Sequence, residues 1–226
     1  MQTTTIQPEL FQFLKELIEN NNRAWFAEHK PRFQELDKGL KAFGQALEAK
    51  MNEHDVVENV KIYRIYRDVR FSKNKLPYKT NRGGRFTRAT KLRRGGYYFH
   101  LEPHGKSFVA GGFWGPNKVD LKRIRVEIAA NAQELRDIIA QPIFVNTFGE
   151  LKGAQLKTAP RDFPKDHPNI DLLRYKQFLL IRNFTDEEVL ADDFLDKLNQ
   201  SFANMRPFLD FMSDVLTTDE NGVSIV

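Results

Sequence analysis

Apolar positions recur every three or four residues toward both ends of the chain and alternate in its middle. Leu10, Phe11, Leu14, Leu17 and Ile18 form one stripe at helical spacing. Pro8 suits the first position of that helix, and Asn20-Asn21-Asn22 stops it. Asn22 can cap a short second helix carrying Trp25 and Phe26, which read as core. Pro31 then restarts the chain into a longer helix through Phe33, Leu36, Leu40, Phe43, Leu47 and Met51. The pattern is not sustained long enough, or flanked by suitable charges, for a coiled coil.

After Asp55 the residue type changes. Val60, Ile62, Tyr63, Ile65 and Tyr66 are β-branched or aromatic and predict a strand near 60–66, followed by a loop. Arg64, Arg67, Asp68 and Phe71 also fit helical spacing, but the β-branched lead-in favours strand then loop. Gly83-Gly84 and Gly95-Gly96 read as turns or bulges around a strand at 85–90. From Tyr97 to Glu102 the residues alternate, with Tyr98, His100 and Glu102 on one face. Pro103-His104-Gly105 turns the chain, and 107–113 pairs back as a hairpin partner.

Helical patterns then return. Pro116 opens a helix over 117–130 with Val119, Ile124 and Ile128 in its buried stripe. Asn131 and Glu134 suggest a capping box for the next helix, and 142–148 a short helix or turn. Residues 151–169 are a polar, proline-rich connection, too long to be idle. A short helix at 170–175 and a buried strand at 178–184 follow. Thr185 and Glu188 make a second capping box, a long helix spans 191–217, and 221–226 reads as a frayed tail. Helices, then strands, then helices imply one α+β domain over 1–226, with a mostly antiparallel central sheet flanked by N-terminal and C-terminal helices.

Composition narrows the class. With 41% hydrophobic residues and 19 Phe the 226-residue chain fits a packed globular protein. It has no cysteine, so disulfides and thiolate metal sites are excluded. The start MQTTTIQPEL lacks the basic and apolar regions of a signal peptide. No apolar run approaches the roughly 18 residues of a membrane span. A cytoplasmic, non-membrane protein is the expectation.

Charge changes the picture more. Residues 61–94 hold 13 Lys+Arg and one acid, Asp68, a local net of +12, leaving 22 basic and 29 acidic residues elsewhere. Such asymmetry favours an anionic ligand at that segment. Its densest part is the basic loop 64–79. There Arg64, Arg67, Arg70, Lys73, Lys75 and Lys79 surround Asp68 and run past Tyr78. Arginine forks suit phosphate or carboxylate, and Asp68 among cations is better placed to orient an arginine than to act as a base. The main competing partner is internal, because Asp186 to Glu220 carries 10 acids against 2 basic residues.

The second candidate is His100 beside Glu102, a pair suited to acid/base work or to metal, though H-x-E alone is a weak signal. Asp166-His167-Pro168, Arg174-Tyr175-Lys176 and Arg23 are lesser candidates. No Walker, Rossmann, H-E-x-x-H, G-x-S-x-G or zinc-finger pattern occurs.

The run R64-x-x-R67-D68-x-R70-F71-x-x-N74-K75-x-x-Y78 resembles the signature R-x-x-R-D-x-R-F-x-x-[DN]-K-x-x-Y of a mainly bacterial family. That family has about this length and is classed as a domain of unknown function. The stretches 22–33, 96–114 and 172–176 also look like it. The resemblance implies no activity or cofactor. Asn74 stands where the family allows Asp or Asn, so it implies no obligatory carboxylate there.

The leading expectation is therefore a site for a phosphate-bearing or otherwise anionic ligand, nucleotide or nucleic acid. Arg64, Arg67, Arg70, Lys73, Lys75 and Lys79 would hold the anion, and Tyr78 would stack or hydrogen-bond. One alternative is a hydrolase or phosphotransferase in which His100 and Glu102, with Asp68 as a further candidate, carry the chemistry. Another is a purely structural ion-pair network between the loop and the acidic C-terminal helix.

Overall fold

The computed structural model of the chain describes residues 5–219 and 221–226. Two helices come first, α1 (Pro8–Glu19) and α2 (Arg23–Met51). Four strands follow: β1 (Val57–Ile62), β2 (Arg82–Arg88), β3 (Gly96–Leu101) and β4 (Ser107–Phe113). Then come α3 (Lys118–Ala130), α4 (Gln133–Ala140), α5 (Pro142–Phe148), α6 (Ile170–Leu173), β5 (Phe178–Phe184), α7 (Asp186–Leu190) and α8 (Phe194–Thr217). The strands form one five-stranded antiparallel sheet in the order β1-β2-β3-β4-β5. This is the α+β architecture, with helices flanking the sheet, that the order of elements implies.

Several boundaries differ from expectation for identifiable reasons. The expected break at Pro31 is absent, and α2 is one helix of 29 residues. Pro31 is exposed, as is Ala27, so the carbonyl that loses its donor can turn to water. The apolar stripe through Phe26, Phe33, Leu36 and Leu40 continues unbroken, and Asn22 caps the whole helix by accepting from the Trp25 N–H. Asn131 makes no capping box; it accepts from the Gln133 N–H, and the cap position falls on Ala132. Thr185 and Glu188 do form theirs. Val119 is exposed rather than buried. The described tail is not loose: Thr218 bridges Ser224, and Asp219 accepts from the N–H groups of Asn221 and Val223.

The strand near 60–66 ends at Ile62, and β2 begins earlier than 85. Gly83 and Gly84 are not a turn but lie inside β2. A Cβ on Gly83 would stand 2.6 Å from the Phe99 carbonyl and 2.9 Å from the Tyr98 hydroxyl. The glycine is therefore what lets backbone and phenol approach there.

The chain packs as two compact units. The first comprises Met1–Phe86 (described from Thr5), Tyr98–Val109 and Asn183–Gln200. Its core is aromatic. Phe13 meets Phe26 and Phe33, and Phe43 packs on Phe99 and Phe194. Arg82 is buried within it, ion-paired with Asp37 and donating to the Tyr63 carbonyl. The second unit comprises Thr87–Tyr97, Ala110–Arg182 and Ser201–Val226. It contains a second buried arginine, Arg88, which donates to the carbonyls of Arg94 and Leu209 and ion-pairs with Asp210.

The connection 151–169 is tied down as expected of a long loop. Arg174 donates to the Leu156 carbonyl and Tyr175 to that of Leu151, each at 2.8 Å. His167 accepts from the Asn169 N–H within a turn. These segments brace the second unit.

Candidate functional site

In the first unit the chain leaves β1 at Tyr63 and returns to the sheet at Arg82. Between them lies the basic loop, pinned at its base. Tyr66 and Tyr78 form an antiparallel bridge, with the Arg67 N–H on the Pro77 carbonyl and the Lys79 N–H on that of Ile65. Asn21 clamps Tyr78 from the other side, donating to its carbonyl at 3.0 Å and accepting from its N–H at 3.1 Å. The Tyr78 ring is only 6% exposed and stacks on Phe26 with centroids 4.0 Å apart. This corrects the ligand-contacting role expected of Tyr78. Its ring is spent on the core and holds the loop.

The loop divides into a base and a tip. Arg67 folds back along the loop, donating to the Leu76 carbonyl at 3.0 Å, and lines a cleft of about 370 Å³. Lys79, Tyr63, Asn81, Gly83, Tyr98 and His100 line the same cleft. Lys79 stands 5.3 Å from the centre of the Tyr63 ring. Its pKa lies below the ordinary lysine value, because burial penalises its charge and Arg82 and Arg64 repel it. Among the described residues neither Arg67 nor Lys79 has a carboxylate partner.

The opposite wall is a polar chain along β3, the alternation at Tyr98, His100 and Glu102 made concrete. The Tyr98 hydroxyl lies 3.0 Å from His100 Nδ1, and His100 Nε2 lies 2.9 Å from Glu102 Oε2. Phe108 stacks on the imidazole at 4.6 Å. With Glu102 accepting, Nε2 carries a proton and a neutral ring receives the phenol proton at Nδ1. Burial, with the charges of Tyr63 and Glu102 behind it, pushes the Tyr98 pKa up to about 12. Tyr98 therefore stays a phenol at any ordinary pH.

The remaining candidates do not line the cleft. Asp68 holds Arg70 with both oxygens, at 3.0 Å to Nε and 2.7 Å to Nη2. Those hydrogen bonds keep the Asp68 pKa below the usual carboxylate value. Lys75 donates to the Val69 carbonyl at 3.0 Å, and Arg64 and Lys73 are exposed. Some acids of the C-terminal segment pair elsewhere. In the first unit Asp186 pairs with Lys15 and Asp196 with Lys50; in the second Asp210 pairs with Arg88 and Arg206.

Of the expected site residues, then, the fold brings Arg67, Lys79 and His100 to one cleft, with Glu102 behind His100. Tyr63, Asn81 and Gly83 were not anticipated. Tyr63 read as strand and Gly83 as a turn, and only the return of the chain at Arg82 sets them side by side. Among the described residues no group of three His, Asp or Glu side chains is placed to hold a metal ion. No described helix is long and apolar enough to cross a membrane.

Fold and cleft together define an α+β protein with a cationic cleft between a tied loop and a sheet face. The chain belongs to the family described as conserved hypothetical protein (DUF2461), whose model matches residues 9–211. That range includes the whole loop and β3, and membership of a domain-of-unknown-function family is what was expected. Neither the curated proteins nor the solved structures compared with the chain gave a match.

Proposed function

We propose that the cleft binds a small phosphate-bearing ligand. One observation carries this reading: Arg67 and Lys79 converge on one cleft with no carboxylate to neutralise them among the described residues. Holding partly buried cations together costs free energy that a bound anion would recover. An arginine fork beside a lysine point charge suits the oxygens of a phosphate. The volume of about 370 Å³ fits a small ligand rather than a macromolecule. The Tyr98 hydroxyl and the Asn81 amide would orient it.

Thermal unfolding against a panel of phosphate monoesters, nucleoside monophosphates and inorganic pyrophosphate tests the proposal. A ligand that binds the native state raises the midpoint with concentration. Wild type should respond to at least one phosphate compound, and Arg67→Ala and Lys79→Met should not. A flat panel for wild type would end this reading.

A second reading, phosphoester hydrolysis or phosphoryl transfer, is favoured by the place of His100 in the same cleft as both cations. Glu102 fixes the imidazole, and a proton could pass between His100 Nδ1 and a ligand oxygen through the Tyr98 hydroxyl. Turnover of the ligand that wild type binds, lost in His100→Gln while binding persists, would support it. Binding without turnover would leave the cleft a binding site only.

A further inference from the structure

Phe71 is 96% exposed, yet the loop that presents it is firmly braced. Asp68 accepts from the Arg70 backbone and side chain, Lys75 caps the Val69 carbonyl, and Asn74 accepts from the Leu76 N–H at 2.9 Å. An aromatic ring held in water on a tied turn gains nothing from the fold that carries it. The Arg70 guanidinium stands 5.9 Å from the ring centre. Arg64 and Lys73 are exposed nearby in sequence and have no ion-pair partner among the described residues. Beside the tip runs a groove of about 540 Å³, lined by Arg23, Asn74, Lys75 and Leu76 among others. Asp68 is the one acid of the tip, and Arg70 neutralises it.

We infer that this tip and groove form a docking surface for single-stranded nucleic acid, with a base stacked on Phe71 and backbone phosphates on Arg23, Lys73 and Lys75. Stacking platforms set in a cationic groove are how sequence-tolerant single-strand sites are built. A duplex hides its base faces and would not engage the ring. An anionic membrane is the less suitable occupant, because Phe71 is a lone apolar point among cations and amides, and insertion wants a broad apolar face. The surface is separate from the cleft. Phe71, Lys73 and Lys75 line no part of the cleft, so either site can fail without the other.

Fluorescence anisotropy of a labelled oligothymidylate of about 20 nucleotides tests the inference. Wild type should bind the single strand more tightly than a duplex of the same length. Affinity should fall steeply as salt rises from about 50 to about 200 mM. Phe71→Ala, an exposed change that leaves the loop's bonds intact, should weaken single-strand binding about tenfold and leave the phosphate-dependent thermal shift of the cleft unchanged. Lys73→Glu should weaken binding and flatten its salt dependence. No binding at the lower salt, equal binding of duplex and single strand, or an unchanged affinity in Phe71→Ala would overturn the inference. So would binding of vesicles containing anionic lipid in preference to the oligonucleotide.

Discussion

Two arginines of β2, Arg82 and Arg88, and the cations of the loop at 64–79 lie in one continuous basic stretch, yet they meet opposite fates. The side chains of Arg82 and Arg88 are 2% and 0% exposed. Arg82 donates to the Tyr63 carbonyl and pairs with Asp37 in the first unit, and Arg88 donates to the carbonyls of Arg94 and Leu209 and pairs with Asp210 in the second. In the loop, Arg67 and Lys79 reach a cleft with no carboxylate beside them, and Arg64 and Lys73 stand in water. The difference lies in partners, not in residue type. A buried guanidinium needs such partners to offset its desolvation, although Arg82 keeps one buried nitrogen, Nε, without one. A cation left unneutralised in a cleft is available to something outside the fold. The local net of +12 thus mixes cations the fold holds with cations it leaves unpaired, and only the latter point to a ligand.

The largest expected effect falls on the strand. Arg82→Ala leaves Asp37 without its buried partner and should cost about 3–5 kcal/mol in urea unfolding. A loss as small as that of a surface substitution would erase the contrast. Next comes the loop's anchor. Asn21→Ala removes both bonds to the Tyr78 backbone. It should cost about 1–3 kcal/mol and weaken phosphate binding as the loop base loosens. Stability loss with unchanged binding would show that the cleft does not depend on the clamp.

A smaller effect is read in pH. The folded pKa of Lys79 is held below 10.5 by burial and by Arg82 and Arg64. Between that folded value and 10.5 the unfolded chain holds the extra proton, so ligand-free stability contributed by this group rises with pH there. Ligand affinity should run the other way, falling as pH climbs through the folded value and Lys79 loses its charge. Tyr98, pushed up to about 12, keeps its proton through that range and adds no competing step. An affinity flat to pH 10.5 would remove Lys79 from the site. The smallest effect is at the tip, where Arg70→Ala should leave the urea midpoint unchanged because its pair with Asp68 is open to water.

Much of this was legible in the chain. Local periodicity gave the helical stripes of α1 and α8, the capping box at Thr185, and the alternation that sets Tyr98 and His100 on one face of β3 with Glu102 just past its end. The loop was visible as a concentration of charge. What stayed hidden depends on distant residues. The partners of Arg82 and Arg88 lie 45 and 122 positions away, so sequence spacing could not mark them as buried. Tyr78 looked like part of a ligand site because it ends a basic run. Its burial rests on Phe26 and Asn21, which belong to the helical region before the sheet. Pro31 looked like a break because a proline costs a hydrogen bond, but the apolar stripe around it outweighs that cost.

The division between fold-holding and ligand-facing cations is tested most directly by thermal unfolding of Arg67→Ala and Arg88→Ala, without ligand and side by side. Arg88→Ala should lower the midpoint by about 6–20 °C, and Arg67→Ala should stay within about 3 °C of wild type. An Arg67→Ala midpoint that falls as far as that of Arg88→Ala would mean that the cleft arginine also holds the fold, and the distinction would be lost.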